Sequence, residues 1–311
     1  MNKQINNVLI YGFGRMGLTH YSILKGLNPN LNFTIVEPGK ILYKLLKSNF
    51  NSRFVQSDER LNDSFDLTLV TTPPFIHNQI LERSLARGDE RIFVEKPFGG
   101  HTNTESDIKG DNVYIGYVLR YNPCIQWVKK NIKPADIISI KGQYFSNTIE
   151  KKPKGWRNGS FSGVLNEMGS HIIDLICYLA NVEEFDIQES RKQSIISDVD
   201  DVVEAVLSSG SMSISLNFNW VKKEIRKPIF GLEIELINNA RLFVDQQTIK
   251  IYEGDVLIKK VAVTDLAETV PYYLRGIDFT KQMENLLGNA GTLCSMHEAL
   301  KVNRIMNNIL K

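Results

Sequence analysis

The sequence predicts an α/β domain with a doubly wound parallel sheet over residues 1–120, followed by an α+β domain with a large, mostly antiparallel open sheet over residues 121–311. Three observations carry this. The 311 residues exceed the roughly 250 at which single cores stop growing. Before Arg120, short apolar runs alternate with helical stretches. After it the runs lengthen and alternate apolar with polar residues, as half-buried strands do.

Taken in order, NVLIYG is a buried-strand run that enters a glycine-rich turn and a helix over about Met16 to Leu27. NFTIVE is the second strand. A helix through Leu42, Leu45 and Leu46, a short strand at RFVQ, the strand DLTLVTT and a helix over about Ile76 to Arg87 come next. RIFVEKP and NVYIGYVLR add two strands, about six in all before residue 121. In the second half, Ile214, Leu216, Phe218 and Trp220 alternate with Ser213, Ser215, Asn217 and Asn219, and Leu232, Ile234 and Leu236 alternate with Glu233 and Glu235. Helices are expected over about Val164 to Leu179, Asp278 to Leu287 and Ser295 to Leu310. The polar face of the second sheet is either solvated or paired with another copy of the chain, so a homo-dimer or homo-tetramer through it is an expectation.

Composition narrows the function classes. With 42% hydrophobic and 23% charged residues and a formal charge of +2, nothing favours nucleic acid or membrane as a partner. No apolar run approaches the ~20 residues of a membrane span. The polar start MNKQINN has no apolar core behind it, so a cytoplasmic location is expected. Cys124, Cys177 and Cys294 are widely spaced and odd in number, which offers neither a disulfide framework nor a CxxC metal site; buried, inert thiols are expected.

GFGRMG places Gly12, Phe13, Gly14, Arg15, Met16 and Gly17 between a strand and a helix. Bare amides and the positive end of the helix can there receive a pyrophosphate. Glu37 closes the second strand twenty residues past Gly17, where a carboxylate accepts both ribose hydroxyls of NAD and repels the 2′-phosphate of NADP. Lys40 leaves room for that phosphate to be balanced. The combination predicts a Rossmann domain that binds a nicotinamide dinucleotide, NAD before NADP.

Two strand ends should face the nicotinamide: Thr71, Thr72 and Pro73, and then Glu95, Lys96 and Pro97. Pro97 aims Lys96 by keeping it out of helical geometry, and a lysine desolvated beside a cofactor can exchange protons near neutral pH. On the helix after Val164, Leu165, Met168, Ile172, Leu175 and Leu179 form an apolar stripe, while Glu167, His171, Asp174 and Tyr178 line the other side. Glu167 lies one turn before His171 and can orient its imidazole. Gly169 would admit a ring or a sugar.

The series GFGRMG, VTTPPFIH, VEKPFGG, GYVLRYNP and GVLNEMGSHIIDLICYL, in that order, resembles the glucose-fructose oxidoreductase and inositol dehydrogenase family, Gfo/Idh/MocA, across most of the chain. The resemblance implies a bound nicotinamide cofactor and a dehydrogenase or reductase acting on CH–OH groups of sugars, cyclitols or nucleotide-sugars. It assigns Lys96 to the reacting hydroxyl or a neighbouring one and His171 to proton transfer, with Glu167 beside it as a catalytic or an orienting carboxylate, and Asp174, Lys96 and His171 among the substrate contacts. His77, Arg120, Trp156 and Arg157 fall on the cofactor side. Two departures stand out. Glu167 occupies a position that is often aspartate, and FGGHTNTESDIKGDN is too short and polar for the usual crossover helix. Two other activities stay open: redox-assisted elimination or glycoside hydrolysis that retains NAD, and a redox-inactive NAD-binding sensor or scaffold.

Overall fold

The structure, a computed structural model, describes residues 4–98, 110–267, 275–288 and 293–311. The expected trimmed crossover after Phe98 lies outside the described residues. The chain divides into two compact units, residues 1–117 with 272–300 and residues 118–271 with 301–311.

Unit one opens with β1 (Asn7–Tyr11), α1 (Arg15–Leu27), β2 (Asn32–Val36), α2 (Lys40–Asn49), β3 (Arg53–Val55), β4 (Leu67–Val70), α3 (His77–Arg87), β5 (Ile92–Val94) and β6 (Val113–Ile115). The strands pair in parallel in the order β6-β5-β4-β1-β2-β3. Their apolar runs are what a sheet covered on both faces demands: every residue of β4 and β5 is buried. The reversal of strand order at β1 and β4 puts the β1–α1 turn and the end of β4 at the same crevice.

Unit two follows with α4 (Pro123–Asn131), β7 (Ile137–Phe145), α5 (Ser170–Ala180), β8 (Asp186–Gln193), β9 (Val202–Ser209), β10 (Met212–Asn219), β11 (Ile229–Leu236), β12 (Ala240–Asp245), β13 (Thr248–Glu253), β14 (Val256–Ala262) and the short α6 (Val263–Leu266). Its eight-stranded sheet runs β14-β13-β12-β11-β7-β10-β9-β8. Only β7 and β10 pair in parallel. Ile214, Leu216 and Phe218 of β10 and Leu232 and Ile234 of β11 are buried. α5 lies on this sheet so closely that a Cβ on Gly142 of β7 would stand 2.5 Å from Ile172. Val206 and Phe243, 40% and 36% exposed, sit on strands whose alternate residues form the buried face.

Two expectations are corrected. The run NVYIGYVLR is not one strand, because β6 ends at Ile115 and Val118–Tyr121 forms a 3-10 turn carrying Arg120. Pro123 at the start of α4, with the Asn122 side chain accepting from the Cys124 amide at 3.0 Å, fixes the chain for a helix entry. Buried turn residues there imitate the apolar pattern of a strand. The C-terminal segment is not wholly in the second unit either. α7 (Ile277–Leu287) packs on α1, and β15 (Cys294–Ser295) pairs antiparallel with β6, which places 272–300 in unit one. α8 (Met296–Leu310) closes the chain. No helix among the described residues is long and apolar enough to cross a membrane, and all three cysteines are buried. Burial pushes the Cys177 thiol up to about 12 and the Cys124 thiol to about 11, so neither is a ready nucleophile.

Candidate functional site

In unit one the β1–α1 turn is held by backbone. Gly12, at φ 82°, takes the left-handed conformation that a side chain would resist, and its amide donates to the Val36 carbonyl at 2.9 Å. The Thr71 hydroxyl stands 2.7 Å from the Gly12 carbonyl and 2.9 Å from that of Tyr11, tying the end of β4 to the turn. A Cβ on Gly17 would meet the Gly12 carbonyl oxygen at 2.1 Å, so α1 touches the turn directly. A Cβ on Gly14 would meet nothing within 4 Å. The first turn of α1 carries no acidic residue and no side-chain cap. Open space over Gly14 beside uncapped amides suits an anion such as a pyrophosphate.

Arg15 and Met16 open the helix at this turn. Phe13 contributes differently from what its place in the motif suggests. Its ring is 3% exposed and packs edge-on against Tyr21, Phe50 and Phe54, leaving only its backbone at the turn. That amide donates to Glu37 at 3.0 Å, and the Gly39 amide donates to the other carboxylate oxygen at 2.9 Å. Glu37 is therefore fixed beside the glycine turn, where a ribose would lie next to a pyrophosphate. Gly17→Ala should destabilise the fold by about 1–3 kcal/mol through overpacking against backbone. Gly14→Val should leave the thermal midpoint within a degree or two and weaken dinucleotide binding more than tenfold, which calorimetry and a binding titration would check separately.

Beyond β4, Pro73 is extended and leads into α3. His77 is fully buried, with Nε2 2.8 Å from the Thr72 carbonyl oxygen, and burial lowers the pKa of its imidazole. His77 pins the turn, and a neutral ring suffices for that. At the end of β5, Glu95 lies 2.6 Å from Nε2 of His20, a residue of α1 that sequence reasoning missed. His20 is fully buried, edge-on to Phe93. Nothing in its spacing separates it from an ordinary core histidine. The pair ties the strand end carrying Lys96 to the helix that opens at the glycine turn. The Lys96–Pro97 peptide is cis.

In unit two, Leu165–Gly169 forms one π turn before α5 begins at Ser170. The uniform helix expected over this segment therefore has one wide turn in it. Glu167 accepts a hydrogen bond from Ser162 at 2.7 Å. His171 is 8% exposed, its ring 6.5 Å from that of Tyr144. Gly169 admits no ligand, since a Cβ there would lie 2.7 Å from Leu165 and 2.9 Å from Phe218; its role is to seat the π turn on β10. Arg120 and Asp174 pair with each other. The guanidinium donates at 2.9 and 2.6 Å to the two carboxylate oxygens, the residues are 2% and 1% exposed, and the Tyr178 ring lies 4.8 Å from the guanidinium carbon. Burying either charge requires such a partner, which gives both a structural part in unit two. Trp156 and Arg157 share a 3-10 turn over Gly155–Asn158, with the guanidinium 5.5 Å from the indole.

The structure thus gathers Gly12, Gly14, Gly17, Glu37, Thr71 and Thr72 in unit one, with Glu95 and Lys96 at a neighbouring strand end, and Glu167, His171 and Asp174 in unit two. Comparison with known proteins points the same way. A family model described as Gfo/Idh/MocA, "Oxidoreductase family, NAD-binding Rossmann fold", matches residues 6–107. A glucose-6-phosphate 3-dehydrogenase from Bacillus subtilis (strain 168) is 24% identical over 144 residues, covering 42% of this chain and 41% of that protein. The chain thus matches about two fifths of the length of that relative. A levoglucosan dehydrogenase in complex with NADH and levoglucosan has a similar fold, with TM-score 0.81 and 18% identity over 98% of this chain and 96% of the other. A UDP-N-acetylglucosamine 3-dehydrogenase from Acidithiobacillus ferrooxidans aligns with TM-score 0.72 and 16% identity over 98% and 95% of the two chains. Residues 6–107 therefore match the NAD-binding Rossmann fold of the Gfo/Idh/MocA oxidoreductase family, the family that the motifs along the rest of the chain resemble.

Proposed function

We propose that the protein is a dehydrogenase that transfers a hydride between NAD(H) and a carbinol or keto carbon of a sugar, cyclitol or nucleotide-sugar. The observation that carries the reading is the glycine turn with Glu37 fixed beside it, in a segment that matches an NAD-binding oxidoreductase family. Similar proteins include dehydrogenases of glucose 6-phosphate, levoglucosan and UDP-N-acetylglucosamine, which supports a sugar-like substrate.

The residues fit the cofactor. Uncapped amides and the space over Gly14 would receive the pyrophosphate, and the Glu37 carboxylate would accept the ribose hydroxyls and disfavour a 2′-phosphate, which selects NAD over NADP. When bound, the nicotinamide supplies the hydride acceptor. The protein's own part is to orient the reacting carbon and to move the hydroxyl proton. Lys96 and His171 are the proposed proton-handling groups. Glu167, held by Ser162, is a positioning group for the segment that bears His171. The exposed face of the second sheet is the proposed contact for a homo-dimer or homo-tetramer.

A panel of sugars, cyclitols and nucleotide-sugars with saturating NAD, followed at the NADH absorbance, tests the reading. One NADH formed per substrate consumed is expected. Substrate consumption without net NADH would replace it with redox-assisted elimination or hydrolysis. Tight NADH binding without turnover on every member would favour a sensor or scaffold.

A further inference from the structure

Directly before the π turn, Gly163 has φ 115°, a conformation that disfavours a side chain, and a Cβ there would stand 2.1 Å from a carboxylate oxygen of Asp200. The backbone carbonyl of Asp200 accepts from Val164 at 2.7 Å, and its carboxylate accepts from Leu165 at 2.8 Å. One residue thus binds two successive amides at the start of the segment carrying Glu167 and His171. Its base is rigid, because the neighbouring Asp201 accepts from the Trp220 indole and the Ser197 hydroxyl, each at 2.6 Å, and Trp220 is 1% exposed.

The geometry assigns Asp200 as a positioning residue: we propose that its carboxylate, clamped on Leu165, sets the orientation of the π turn and through it of Glu167 and His171. This rests on the reading of Glu167 and His171 as part of a sugar site. A carboxylate 9% exposed is a poor choice for stability alone, and the linkage shows it. Burial first, opposed by the Leu165 amide and reinforced by the charge of Asp201, raises the Asp200 carboxyl from 3.8 to about 6, with Lys192 of β8 acting in the lowering direction. A folded-state pKa above the unfolded one favours the fold only while the group stays protonated; that contribution is complete below about 4 and lost as pH rises through about 6. At neutral pH the fold therefore carries a charge that works against its stability. Orientation of the turn is the compensating gain, because a charged acceptor holds an amide more firmly than a neutral one.

Asp200→Asn keeps the shape and a carbonyl acceptor but removes the charge. At pH 8 its thermal midpoint should rise above wild type by roughly 2–8 °C, and the difference should shrink between pH 6 and pH 4. The wild-type Leu165 amide resonance should show an inflection near pH 6 that vanishes in the variant. With a substrate in hand, kcat at pH 8 should fall about tenfold with little change in KM, and the loss should narrow toward pH 5.5. A lower midpoint at pH 8, a Leu165 amide that does not titrate, or an unchanged kcat would each overturn the proposal. If no substrate is found, the dehydrogenase reading fails, while the thermal and resonance measurements still decide the role of Asp200.

Discussion

Replacing Lys96 by alanine should lower kcat for the sugar identified by the panel by about 10²–10⁴-fold, with NADH affinity within about threefold of wild type. The reason is positional. Lys96 is half-buried, one residue past the Glu95 carboxylate that His20 holds at 2.6 Å, so the strand end presenting it is anchored to α1. The glycine turn proposed to hold the pyrophosphate lies on a different strand end and should be untouched, which is why binding and turnover are expected to separate. Lys96→Arg should recover little, since a guanidinium is protonated at any working pH and cannot give up its proton. Steady-state kinetics alongside a fluorescence titration of NADH checks both halves. Wild-type turnover in Lys96→Ala would remove the lysine from the mechanism.

Asp174→Ala should destabilise unit two by about 3–5 kcal/mol, because it leaves the Arg120 guanidinium buried without its carboxylate. Arg120→Ala should cost a similar amount. The double variant should lose less than the sum, since removing both charges leaves neither stranded. The expectation drawn from the motif was that Asp174 contacts substrate; thermal unfolding of the single and double variants separates the two roles. A raised KM with an unchanged midpoint would restore the substrate role, whereas a drop of roughly 10 °C supports the structural one.

What could be read beforehand follows from how each feature is encoded. β1 through β5 stood out because a parallel sheet buried on both faces needs continuous apolar runs, and Val8–Tyr11 and Leu67–Val70 supply them. Gly12, Gly17 and Glu37 were legible because turn, close approach and acceptor recur at fixed spacing, and the backbone geometry gives each its reason. Arg120 was misplaced on a strand, since a buried 3-10 turn and a buried strand share one apolar pattern. The π turn at Leu165–Gly169 left no mark on periodicity because one wide turn shifts the stripe by a single residue. His20 and Asp200 were invisible for a different cause: their partners, Glu95 and Leu165, lie 75 and 35 residues away. The return of 272–300 to unit one was missed likewise, because β15 is two residues long and its pairing with β6 is not local.

In the proposed reaction a hydride passes between a sugar carbon and the nicotinamide of a dinucleotide whose pyrophosphate sits at the Gly12–Gly17 turn. Mass spectrometry of the NADH formed from unlabelled NAD and a substrate deuterated at the reacting carbon tests it most directly. Every NADH should carry one deuterium. NADH free of deuterium, or deuterium lost to water while substrate is consumed, would contradict it.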